Sequence, residues 1–290
     1  MGLKIIVLAK QVPDTRNVGK DAMKADGTVN RAALPAIFNP EDLNALEQAL
    51  RLKDQIPGTT VTLLTMGPVR AADILREGLF RGADDGILLT DRAFAGSDTL
   101  ATSYALSCAI RKIGTFDLIF AGRQAIDGDT AQVGPQVAEK LGIPQITYAE
   151  DVLFVKDGVI RVKRRLERGV ETVEGKLPLL VTVNGSAPAC RPRNAKLLMK
   201  YKHATTASER VEKSEDYLSL ISEKPYLNIK EWSVNDIECD REQLGLSGSP
   251  TKVKKIDNIV FQVKEAKRLT DSDTDINQLM KELIENHTIG

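Results

Sequence analysis

The sequence predicts an α/β protein: a doubly wound, mostly parallel sheet with helices on both faces, followed by an antiparallel flap and a C-terminal extension. Three observations predict it. Short apolar runs rich in β-branched residues alternate with longer amphipathic stretches through the first half of the chain, the pattern of βαβ units on a parallel sheet. The runs are apolar throughout, as strands covered on both faces must be. After residue 150 the apolar period switches to two around Asp157-Gly158, a strong type I′ hairpin signal.

The elements follow in order. KIIVLA (Lys4 to Ala9) is the first strand. FNPEDLNALEQALRLKD opens a helix with Asn39 at the N-cap, Pro40 at N1 and Glu41 and Asp42 at the positive end of the dipole. Its Leu43, Leu46 and Leu50 share one face. TVTLLTMG (60–67) is the next strand, followed by a helix from about Val69 to Arg81 that Gly82 stops. GILLT (86–90) is a strand, and DTLATSYALSCAIRKIG is a helix capped by Asp98. FDLIFAG is the fourth strand; Thr130 to Leu141 is the fourth helix, stopped by Gly142 and Pro144. VLFVK-DG-VIRVKRRLE is the hairpin, and VETVEGKLPLLVTV leads back into a buried strand. GSAPACRPRNAKLLMKYK reads as a loop and a short basic helix, EKSEDYLSLISEKP as polar chain, GLSGSPTKV as a linker and DTDINQLMKELIENHTIG as a final amphipathic helix. The expected division is an α/β domain over 1–200, with its flap at 150–178, and an extension over 201–290.

Composition narrows the function. Lys+Arg and Asp+Glu are both 40 among 290 residues, a net charge of zero that argues against nucleic acid held by bulk charge. The three cysteines, Cys108, Cys190 and Cys239, form no CxxC pair, which argues against a disulfide framework or zinc site and for a reducing, cytoplasmic setting. Only His203 and His287 are present, too few for a histidine metal cluster. No apolar run is long enough to span a membrane, and MGLKIIVLAK turns polar too soon for a signal peptide.

Sheets of this kind bind ligands beyond the carboxyl ends of their strands. AGRQAIDGDTAQVGP follows the fourth strand. Gly122 allows a close turn, Asp129 can cap the next helix, and the amides there suit an anion. Arg123 adds charge, while Thr130 and Gln132 add hydrogen bonds. The carboxylates of Asp127 and Asp129 repel phosphate, so they must point to backbone donors in the loop or to a ribose hydroxyl. DRAFAGSDTLATS, with Gly96, Asp98, Thr99, Thr102 and Ser103, follows the neighbouring strand, and Asn39 follows a third crossover. Each loop alone also reads as ordinary capping; together they suggest a shared cleft. GVETVEGKLP fails as a phosphate loop because Leu177 stands where Ser or Thr must bind magnesium, and no GxGxxG follows any strand. No nucleophile–base pair or metal ligand set appears, so a free-standing ATP-dependent enzyme is disfavoured, and any redox chemistry belongs to a bound cofactor.

The segments VLAKQVPDT, NPEDLNALEQALRLKD, VTLLTMGP, RGADDGILLTDRAFAGSDTLATS and DLIFAGRQAIDGDTAQVGPQVAEKLGIPQ resemble the beta subunit of electron-transfer flavoproteins. RRLERGVETVEGKLPLLVTV, LLMK and, more weakly, GSPTKV and the last helix extend the resemblance. It departs at Arg168, where the family usually has Gly or an acid. The resemblance implies a subunit rather than an independent enzyme, paired with an FAD-bearing alpha subunit and holding AMP or, in electron-bifurcating members, a second FAD reduced by NADH. Electrons would then divide between the alpha-subunit FAD with an acyl-CoA dehydrogenase or other flavin dehydrogenase, and ferredoxin or flavodoxin. The loop DRAFAGSDTLATS looks like the flavin-binding version. By resemblance, Gly122, Arg123, Gln124, Asp127, Gly128, Asp129, Thr130, Gln132 and Val133 cradle the phosphates. Leu8, Ala9, Asn39 and Met66 surround the adenosine, with Asp98, Thr99 and Thr102 beside the flavin. Arg191, Arg193, Ala195 and Lys196 fall in the family's dehydrogenase-recognition loop, with Ala195 where the family often has an anchoring Leu. The final helix would embrace the alpha subunit.

Overall fold

The computed structural model describes residues 2–14, 35–212, 220–251 and 266–289. Part of the polar stretch EKSEDYLSLISEKP (213–219) and the end of GLSGSPTKV lie outside the described residues. Two compact units are present, Met1–Lys254 and Lys255–Gly290.

The first unit is built on a sheet. β1 (Lys4–Leu8) lies at its middle, and two short strands, β2 (Gln11–Pro13) and β3 (Ala36–Phe38), pair antiparallel beside it. Then come α1 (Pro40–Gln55), β4 (Thr60–Met66), α2 (Ala72–Arg81), β5 (Asp85–Leu89), α3 (Thr99–Ile113), β6 (Leu118–Gly122) and α4 (Val133–Leu141). β7 (Gln145–Lys156), β8 (Val159–Leu166) and β9 (Gly169–Lys176) form the flap, and β10 (Leu179–Val183) returns to the centre. The short helices α5 (Ala195–Tyr201), α6 (Ala207–Glu212) and α7 (Leu220–Glu223) precede β11 (Lys230–Trp232). The nine-stranded order is β11-β5-β4-β1-β6-β10-β7-β8-β9. Pairing is parallel from β11 to β7 and antiparallel through the flap.

Strand alternation divides the core. Ile5 and Val7 of β1 face one side, where Leu46 and Leu50 of α1 and Leu75 and Leu79 of α2 cover them. Ile6 and Leu8 face the other, under Ala105 and Ala109 of α3 and Val137 and Ala138 of α4. Burying each such Leu contributes about 1.5–3 kcal/mol. The expected layers are therefore present, with α1 and α2 on one face and α3 and α4 on the other. The Asp157-Gly158 turn has φ of 51° and 74°, as a type I′ hairpin requires.

Three details differ from the sequence reading. Asn39 makes no side-chain cap on α1; its amide is spent on the cleft loop described below. α4 starts at Val133 rather than Thr130, because Asp129 and Ala131 take left-handed φ values of 48° and 53° that a helix cannot contain. Compactness also continues past residue 200, because β11 adds a ninth strand against β5. At three residues it is too short to show a period in the sequence.

In the second unit, α8 (Asp273–Glu285) is capped by Ser272, whose hydroxyl accepts from the Asp275 amide at 3.3 Å. Ile276, Leu279, Met280 and Ile284 form an exposed stripe along it, at helical spacing.

Candidate functional site

From β1 the chain winds outward through β4 and β5; from β6 it winds the other way. The carboxyl ends of β1 and β6 therefore flank the switch point, where doubly wound sheets open a crevice. A cleft of about 380 Å³ lies there. Leu8, Leu64, Met66, Leu106 and Ala121 give it an apolar floor, and Phe94, Gly96 to Thr99 and Gly128 to Gly134 wall it. An apolar floor with a polar rim is the usual make-up of a small-molecule site.

Leu8, Ala9, Met66, Asp98, Thr99, Thr102, Gly122, Arg123, Gln124, Gly128, Asp129, Thr130, Gln132 and Val133 all line this cleft. Two loops remote in sequence meet in it, and the Thr99 hydroxyl donates to Gln132 Oε1 at 2.8 Å across the join. Asn39 and Asp127 do not line it; they shape it. Asn39, fully buried, donates from Nδ2 to the Gln124 carbonyl at 2.9 Å and accepts the Ile126 amide at 3.2 Å. Asp127 pairs with Lys10 Nζ at 2.7 Å. Asp129 does not cap α4; its carboxylate accepts from Gln124 Nε2 at 2.9 Å. Both acids are thus engaged by side chains rather than by backbone donors. The Arg123 guanidinium is held by Glu41 at 3.2 Å and lies over the Tyr148 ring at 5.9 Å.

The charged side chains of this loop are engaged by partners, while part of its backbone stays open. Among the described residues, the amides of Thr130, Ala131, Gln132, Val133 and Gly134 have no intramolecular acceptor. They precede and open α4, where the helix dipole adds positive potential. Gln136 Oε1, buried in the first turns of α4, also has no partner among the described residues.

Sequence reading missed Asp42, which also lines the cleft. From the first turn of α1 it accepts the Lys10 amide at 2.8 Å and the Gly122 amide at 3.0 Å, tying the ends of β1 and β6 together. Burial pushes its carboxyl up to about 7, against the hydrogen bonds of Asn39, Lys10 and Gly122. Gly122 is required beside it, because an added Cβ would stand 2.4 Å from Asp42 Oδ1 and 2.8 Å from the Asp42 amide nitrogen. In the sequence, Asp42 looks like one more dipole-compensating acid at a helix start. Lys10 was also missed, although its position two residues after β1 marks the same edge.

Asp98 caps α3, accepting the Leu100 amide at 2.9 Å and the Ala101 amide at 3.1 Å. Burial raises its pKa, but the Thr251 hydroxyl and the Ala101, Thr251 and Leu100 amides outweigh it and hold it below the usual carboxylate value.

The basic loop 189–194 lies elsewhere, along α1 and α2. Arg191 grips Glu47 through Nε at 3.0 Å and a terminal nitrogen at 2.9 Å, and reaches Asp54 at 2.8 Å. Burial raises the pKa of Glu47, and the Arg191 hydrogen bonds more than reverse it. Arg193 is exposed and stands 3.6 Å from Glu77. Ala195 and Lys196 open α5 and are exposed, with Leu198 and Met199 beside them. Among the described residues, no helix is long and apolar enough to cross a membrane. None of them forms a group of three or more His, Cys, Asp or Glu placed to hold a metal ion.

Fold and site together define a doubly wound α/β protein with a ligand-sized cleft at its switch point. Within that class the chain belongs to the electron transfer flavoprotein family: the electron transfer flavoprotein domain is matched over residues 26–214. It is 46% identical over 253 residues to the electron transfer flavoprotein subunit beta of Clostridium acetobutylicum, covering 87% of each chain. It is 46% identical over 258 residues to the acryloyl-CoA reductase electron transfer subunit gamma of Anaerotignum propionicum, covering 87% of each. It is 43% identical over 251 residues to subunit CarD of the caffeyl-CoA reductase-Etf complex of Acetobacterium woodii, covering 87% of this chain and 86% of that one.

Proposed function

We propose that this chain is the beta subunit of a heterodimeric, cytoplasmic electron-transfer flavoprotein of the bifurcating class, and that its cleft holds FAD. One observation carries the reading: five consecutive amides without an intramolecular acceptor belong to residues that line an apolar-floored cleft where α4 begins, a setting that suits a diphosphate joined to an adenosine. When bound, FAD supplies the capacity to take hydride from NADH and to pass electrons singly to the alpha-subunit FAD and to ferredoxin or flavodoxin.

The chain's own part is placement and electrostatics. The amides of Thr130 to Gly134 hold the phosphates. Leu8, Ala9 and Met66 offer apolar walls to the adenosine. Asp98, Thr99 and Thr102 fix the rim where the flavin half would leave the cleft. The Arg123 charge, fixed by Glu41, contributes a constant field. The apolar stripe of α8 is the surface assigned to the alpha subunit. Loop 189–200 is assigned to a flavin dehydrogenase acting on a CoA ester, as the names of the two reductase-complex relatives suggest.

A second reading is AMP in the same cleft. Its volume of about 380 Å³ accommodates a single nucleotide as readily as the adenylate half of FAD. Counting flavins on the co-expressed alpha–beta pair separates the two. Two FAD per pair, bleached by NADH, is the expected result; one FAD and one AMP would leave only the second reading. Asp98→Ala and Thr99→Ala are expected to lower retention of the beta flavin and spare the alpha flavin.

A further inference from the structure

The sequence reads GLSGSPTKV as a linker, yet its described part is sewn onto the cleft rim. Leu244, just before it, is buried. Gly245 has φ of 57°, and a Cβ there would stand 2.3 Å from the Ala93 carbonyl oxygen and 3.1 Å from that of Ala95. The backbone therefore lies directly on the loop that walls the cleft. The Ser249 hydroxyl accepts the Asp98 amide at 2.8 Å and donates to the Gly245 carbonyl at 2.6 Å. Thr251 donates twice to Asp98 Oδ2, from its amide at 3.0 Å and its hydroxyl at 2.6 Å. The other carboxylate oxygen, Oδ1, takes the Leu100 and Ala101 amides at the start of α3, the helix that carries Thr99 and Thr102 on the cleft wall. One carboxylate joins the strap, the rim and the helix start.

We propose that residues 244–251 form a strap coupled to cleft occupancy through Asp98, so that filling the cleft tightens the chain's attachment beside the end of the first compact unit. The proposal rests on the nucleotide reading of the cleft. Thr251 acts as a positioning residue: it touches Asp98, not the ligand. A ligand engaging the first turn of α3 fixes the geometry that Thr251 needs, and releasing Thr251 frees the cap that holds that turn. Such coupling is reciprocal, so the strap must strengthen binding by the factor that binding strengthens the strap.

Hydrogen exchange on the full chain, stripped of nucleotide and then supplied with AMP or FAD, tests this. The Thr251 amide is expected to exchange at least about fivefold more slowly with nucleotide bound. Thr251→Val keeps the side-chain shape and removes the hydroxyl donor. It is expected to weaken nucleotide binding about tenfold and to erase the added protection, and Thr251→Ser to restore both. Gly245→Ala, which displaces the strap by a different route, is expected to act like Thr251→Val. Nucleotide binding that leaves exchange over 244–251 unchanged, or Thr251→Val binding as tightly as the parent, overturns the coupling alone. A parent chain that binds neither nucleotide overturns the reading of the cleft, and the coupling with it.

Discussion

Two loops of this chain carry conspicuous charge, and they use it differently. In the cleft loop, Asp127 meets Lys10, Asp129 meets Gln124 and Arg123 meets Glu41, while the amides from Thr130 to Gly134 stay open. In the loop over α1 and α2 the backbone is engaged: the Arg191 amide donates to Glu47, the Asn194 amide to the Phe80 carbonyl, and Asn44 donates to the Ala187 carbonyl. What remains outward there is side chains: Arg193, Lys196, Leu198 and Met199. One loop leaves main-chain donors open, and the other leaves side chains outward.

The two regions should titrate in opposite directions, and this is the largest effect expected. Asp42 has a folded pKa of about 7 against an ordinary 3.8. The folded state therefore holds the extra proton, and stability declines as pH rises through that window, by up to roughly 4 kcal/mol at about 1.4 kcal/mol per unit. Glu47 is shifted down from 4.5, so its contribution is present above that value and lost as pH falls. Urea midpoints of the parent and Asp42→Asn between pH 4 and 8 check this. The variant's curve should lack the decline, and parallel curves would remove the distinction.

Gly122→Ala attacks the cleft loop alone. The added methyl meets the backbone of Asp42, which cannot move aside, and about 3 kcal/mol of stability should go together with most bound nucleotide. Glu47→Gln attacks the other loop. Losing the charged partner of Arg191 should cost about 2 kcal/mol and speed amide exchange over 189–194. Nucleotide affinity should stay as it was; a fall would show that the two loops are not independent. The smallest effect is expected from Asp127→Asn, whose partner Lys10 is about half exposed. Stability should change by less than about 1 kcal/mol. Freed of its partner, Lys10 should raise nucleotide affinity slightly, more at low salt than at high.

The sequence made the layers and the cleft edge legible for a physical reason. Strands such as KIIVL and LIFAG are apolar on both faces, and ligands in such sheets collect at one edge. Capping by Asp98 was equally legible, because it is local. What escaped was everything set by contact across the fold. Asn39 looks like a cap and instead braces Gln124 and Ile126, far along the chain. Asp42 looks like a dipole residue and instead ties two strand ends. Arg191 looks like an outward cation and is spent on α1. Asp129 and Ala131 adopt left-handed backbone that neither residue type announces.

One feature of the sheet bears on synthesis of the chain. β10 is made after the whole flap, yet it fills the gap between β6 and β7. Until Val183 has left the ribosome, β6 and β7 each present one open edge of unpaired backbone N–H and C=O groups. At translation rates of about 5–20 residues per second, the stretch from β7 to β10 takes a few seconds. During that interval the nascent chain carries two open strand edges and is exposed to mispairing.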